Sequence, residues 1–79
     1  MTNQNSEKLA AIFRAVFRLP ATVNVFSLSQ ASNASWDSLA HVSLIAALED
    51  EFNLSFQPDE TLRMVSYGAT LLILQGKGL

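Results

Sequence analysis

The sequence predicts an all-α fold, a small four-helix bundle of three main helices and one short one, and three observations predict it. Apolar residues recur at spacings of three and four over two long stretches, the signature of helices with one buried face. Residues suited to starting helices, Ser6, Asp37, Pro58 and Ser66, stand at intervals along the chain. No two segments can pair as a sheet: Val23, Val25, Phe26 and Leu28 alternate imperfectly and have no second strand to meet. Helices of this kind bury their stripes only against one another, so a bundle follows.

Size and composition narrow the field. At 79 residues the chain is one domain, 1–79, with residues 1–5 and 76–79 expected to fray. It has no Cys, which removes disulfides, thiolate metal sites and a Cys nucleophile. An apolar share of 49% gives ample material for a core, and a charged share of 15% leaves much of the surface to Ser, Asn, Gln and Thr. The formal net charge is −2, and the basic residues Lys8, Arg14, Arg18, Arg63 and Lys77 are scattered. That is not the basic stripe of a nucleic-acid binder. No stretch reaches the roughly 18 apolar residues of a membrane span. The polar start, Met1-Thr-Asn-Gln-Asn-Ser-Glu, lacks the basic and apolar regions of a signal peptide, so a cytoplasmic location is the expectation.

The first helix is expected to begin at Ser6, with Glu7 in the first turn where the helix dipole favours an acid. Leu9, Ile12, Phe13, Val16 and Phe17 make one face. Pro20 disfavours helical backbone at Leu19, so the helix stops near Arg18 or Leu19. Residues 20–37 read as a long loop that lays its apolar residues across the helices, and loops this long in small domains are usually functional. Asp37 caps a second helix running to Phe52, with Leu39, Val42, Ile45, Leu48 and Phe52 as its main apolar stripe. Asn53, tolerant of left-handed backbone, ends it. Pro58 opens a short helix through Arg63, and Ser66 caps a last one from Tyr67 to about Leu74. Glu49, Asp50 and Glu51 place three acids at the C-terminal end of the second helix, where each costs roughly 0.3–1 kcal/mol against the dipole.

The catalytic inventory is thin. The single His, His41, lies three residues after Ser38 on the same helical side, but helix neighbours are not a triad and no local acid orients the imidazole. His41 is expected to be a partly exposed surface residue. One His and scattered acids make no metal site. Trp36 reads as an aromatic that anchors the long loop to the second helix.

Asp37-Ser38-Leu39, then Val42, Leu44-Ile45, Ala47-Leu48-Glu49-Asp50-Glu51-Phe52, Phe56 and Pro58-Asp59-Glu60, resembles the central region of acyl carrier proteins. The order of elements is similar over roughly residues 6 to 75. The resemblance implies a bundle of acyl-carrier-protein type that performs no catalysis itself. It implies 4′-phosphopantetheine attached to Ser38, with Asp37 and Leu39 beside the attachment point, carrying acyl intermediates as thioesters. The implied partners are a phosphopantetheinyl transferase and the enzymes that load and accept the acyl group. Leu39, Val42, Glu49, Asp50 and Glu51 would meet them, and the chain is expected to be a monomer. Ala40, His41 and Ser43 stand where the family commonly has acids, and Trp36 before Asp-Ser-Leu is similar to stand-alone carriers, which points to a specialised biosynthetic pathway. A peptidyl or aminoacyl carrier shares the fold and the serine. An unmodified carrier-like interaction module is a further alternative.

Overall fold

The computed structural model describes residues 3–79. It contains α1 (Asn3–Phe17), a 3-10 turn (Val25–Ser27), α2 (Ser38–Phe52), α3 (Pro58–Arg63) and α4 (Tyr67–Gly76), and no strand among the described residues. No helix is long and apolar enough to cross a membrane. The radius of gyration is 11.5 Å, against about 11.6 Å expected for a compact chain of this length.

Helix α1 starts earlier than its sequence suggests. Ser6 lies inside the helix rather than capping it, and residues 3–5 are helical rather than frayed; Met1 and Thr2 lie outside the described residues. Nothing between Asn3 and Ser6 forbids helix, and a Ser can sit in a first turn as readily as cap it. At the other end Arg18 takes a left-handed conformation at φ 54°, and the Leu19 N–H reaches back to the Arg14 carbonyl at 2.9 Å. Asn53, at φ 53°, and Leu54, bonded to the Glu49 carbonyl at 3.2 Å, close α2 in the same way. Gly78 and Leu79 repeat the motif after α4. In each case a left-handed residue turns the chain so that a late carbonyl keeps a partner.

The core is built from Leu9, Phe13 and Phe17 of α1, Leu44 and Leu48 of α2, Tyr67, Thr70 and Leu74 of α4, and Met64 from the α3–α4 link. Phe13 is its centre, with ring centroids 5.0 Å from Tyr67, 5.6 Å from Trp36 and 5.7 Å from Phe17. Thr70 is fully buried because its hydroxyl is satisfied locally, donating to the Ser66 carbonyl at 2.9 Å.

The stripe that the spacing of α2 suggests is buried only in part: Ile45 and Phe52 pack against the core, as expected. Leu44 and Leu48 are buried, while Leu39 and Val42 are 77% and 63% exposed. At about 100° per residue, Val42 lies roughly 160° around the helix from Leu44, and Leu39 roughly 180° from Leu48. The helix is apolar nearly all round, so its periodicity could not choose which side α1 covers.

The long connection packs down in part. Val25 and Leu28 are buried, while Phe26 stays 68% exposed with its ring edge-on to Tyr67 at 5.2 Å. An isolated antiparallel bridge pairs Ser29 with Ser66: the Gln30 N–H donates to the Val65 carbonyl at 2.9 Å and the Tyr67 N–H to the Leu28 carbonyl at 3.0 Å. This pins the middle of the loop to the start of α4.

Candidate functional site

The start of α2 is held by a chain of local hydrogen bonds. Asn33 shapes the approach: its side-chain oxygen accepts the Ser35 N–H at 3.0 Å and its carbonyl the Trp36 N–H at 3.0 Å. Trp36 then drops into the core at 5% exposure, its ring 4.9 Å from Phe17. Asp37 follows with extended backbone and caps the helix, its carboxylate accepting the Ala40 N–H at 2.9 Å while its carbonyl accepts the His41 N–H at 2.9 Å. These two bonds use the third and fourth N–H groups of the helix start. Those of Ser38 and Leu39 stay unclaimed by the protein and point out of the helix end, as first-turn N–H groups do. Ser38 is exposed, and its hydroxyl forms no hydrogen bond among the described residues.

His41 sits one turn further on and is partly exposed, as expected, but it also forms a bridge that the sequence did not suggest. Trp36 Nε1, which can only donate, lies 3.0 Å from His41 Nδ1. The Thr61 carbonyl, which can only accept, lies 2.8 Å from His41 Nε2. The two contacts together assign the neutral tautomer with the proton on Nε2. The indole and imidazole rings stack at 6.2 Å with 29° between their planes. Both ring nitrogens are therefore occupied, and neither is available to take a proton from Ser38. Thr61 lies in the last turn of α3, so the negative end of that short helix receives the His41 N–H.

Of the six large apolar side chains exposed among the described residues, Leu39 and Val42 lie in the first turns of α2, and Leu62 and Val65 at and just after the end of α3. The acids expected to face partners are unequally free. Glu49 is half-buried and its carboxylate accepts the Phe56 N–H at 2.8 Å, while its carbonyl accepts the Leu54 N–H, so it organises the turn after α2. Glu51 pairs with Lys8 of α1 at 3.7 Å. Asp50 is exposed. No basic residue occurs between Arg18 and Arg63, so α2 presents acids alone.

Among the described residues there is no internal cavity and no group of three or more potential metal ligands. The structure thus brings Asp37, Ser38 and Leu39 together with His41 and Trp36, and leaves the acid cluster at the opposite end of the same helix. Sequence reasoning missed the His41 bridge and the part played by Thr61. The one available signal was that the sole Trp and the sole His lie five residues apart across a helix start.

Compared with known protein families, curated proteins and solved structures, the chain has no significant match.

Proposed function

We propose that the chain is an acyl carrier protein, bearing 4′-phosphopantetheine on Ser38 and serving a specialised biosynthetic pathway. The observation that carries the proposal is the state of Ser38: an exposed, unbonded hydroxyl in the first turn of α2, with Asp37 taking the capping role that would otherwise occupy it. In the attachment step the Ser38 oxygen attacks the β-phosphorus of coenzyme A. The bond from that phosphorus to the bridging oxygen breaks, adenosine 3′,5′-bisphosphate leaves, and the hydroxyl proton passes to a base of the transferase. The unclaimed N–H groups of Ser38 and Leu39 and the positive end of the helix dipole suit the phosphodiester that results.

When attached, the arm supplies a terminal thiol, absent from this Cys-free chain, that holds an acyl group as a thioester. The chain itself holds and presents. Asp37 fixes the turn, Leu39 and Val42 offer apolar contact beside the serine, and Asp50 and the rest of the acidic end of α2 steer basic partner surfaces toward it. Tethering raises the effective concentration of the cargo at a docked enzyme, as linked binding modules do. A peptidyl or aminoacyl carrier would use the same serine and turn.

Incubation with coenzyme A, Mg²⁺ and a broad-specificity phosphopantetheinyl transferase tests the proposal. The intact mass of the wild type should rise by one phosphopantetheinyl group, and that of Ser38→Ala should not change. An unchanged wild-type mass, or an equal gain on Ser38→Ala, refutes it. A partner complex insensitive to Ser38→Ala, formed by protein that is never modified, would instead identify an interaction module.

A further inference from the structure

We propose that His41 is a proton-operated latch on the loop that leads into α2: neutral, it fastens Trp36; protonated, it releases it. The inference is separate from the fate of Ser38, because every group it uses belongs to the unmodified chain.

Trp36 Nε1–H has no acceptor capacity, and the Thr61 carbonyl has no donor. The imidazole satisfies both only as the Nε2–H neutral form, with Nδ1 accepting from Trp36 at 3.0 Å and Nε2 donating to Thr61 at 2.8 Å. A second proton can enter only at Nδ1. It then faces the indole N–H, donor against donor, while the bond to Thr61 is kept and becomes charge-assisted. The asymmetry is built in: acid strengthens the tie between α2 and α3 and breaks the tie between α2 and the loop.

The loop end has no other fastening of this kind. The Trp36 indole is 5% exposed and packed on Phe13 and Phe17 of α1, so its freed N–H finds water only if the side chain shifts. Trp36 adjoins Asp37, so such a shift reaches the cap of α2 directly. Glu7 and Arg18 on α1 and its end and Asp50 on α2 are exposed, and the other charged groups named here have partners of their own. On α2, Asp37 accepts the Ala40 N–H; on α3, Asp59 pairs with Arg63 and Glu60 with Lys77; on α1, Arg14 donates to the Val23 carbonyl. Among the described residues, none of these side chains hydrogen-bonds to the imidazole.

Two measurements test it on the unmodified chain. The chain has one His and one Trp, so their NMR signals are unambiguous. Near about pH 7.5 the imidazole nitrogens should show the Nε2–H tautomer, and acidification should speed exchange of the indole N–H along the same curve that protonates His41. A double-mutant cycle with His41→Gln, Trp36→Phe and the double variant should show a coupling of roughly three- to tenfold in the folding equilibrium at neutral pH. That coupling should vanish at a pH where the NMR signals show His41 protonated. An Nδ1–H tautomer at neutral pH, an indole N–H indifferent to His41 protonation, or a coupling equal at both pH values would each overturn the proposal. The wild-type spectra decide the matter even if a variant fails to fold.

Discussion

At the residue scale the start of α2 depends on Asp37, whose carboxylate holds the Ala40 N–H at 2.9 Å. Replacing it with Ala should lower stability by about 1 kcal/mol, read as a fall in the denaturant midpoint with an unchanged slope. Tyr67 predicts the reverse. Its hydroxyl is buried without a hydrogen-bond partner, and burial pushes the phenol above its ordinary range, with Arg14 pulling weakly the other way. Tyr67→Phe should therefore stabilise the protein by on the order of 1 kcal/mol, measured by the same denaturation. The sign with pH follows. A raised phenol favours the protonated form when folded, so its contribution is whole below the unfolded phenol pKa and is lost as pH rises through the folded one. Alkaline unfolding should consequently move to higher pH in Tyr67→Phe. Asp37 and Asn53 were legible in the sequence because caps and left-handed turns are local. The orphan Tyr67 hydroxyl and the His41–Thr61 bond were not, since each depends on which distant element arrives beside it.

The elements carry their own consequences. Glu60 ties the start of α3 to the end of α4: its carboxylate accepts the Gln57 N–H at 2.7 Å and pairs with Lys77 at 2.9 Å. The Gln57 N–H, and after it the Lys77 ammonium, hold that carboxyl below the ordinary carboxylate range. Such a group adds stability above its unfolded pKa and loses it as pH falls through the folded one. Glu60→Gln should flatten the decline of stability on acidification below the ordinary glutamate range, and an acid profile identical to wild type would contradict the contact. Lys77 also lies over the Phe56 ring at 5.5 Å, and Leu79 packs against the core, so residues 77–79 are tied to the bundle. The ends of α2, α3 and α4 were close to what the residues predict, because Asp37, Pro58, Ser66 and Asn53 are strong punctuation. The buried side of α2 was not, because an evenly apolar helix gives its periodicity no preferred face. The acids at the end of α2 stood against the dipole in the sequence, and Glu49 now has a structural reason through Phe56.

For the whole molecule, the fold places exposed Ser38 at the start of α2, on a bundle whose buried aromatics run from Tyr67 through Phe13 to Trp36. The all-α architecture was readable from spacing alone, since helices without a sheet have few ways to hide their stripes. The site was readable as residues but not as an environment: nothing in Asp37-Ser38-Leu39 says that Trp36 and Thr61 meet across His41. On the proposed function, an arm on Ser38 would bring chemistry that the bare chain does not contain, and its cargo would be read from the modified protein. The most direct test is the intact mass of the protein purified from its native host, with fragmentation to locate any added group. A carrier predicts phosphopantetheine on Ser38, free or acylated; only unmodified Ser38 in protein from active cells would contradict it.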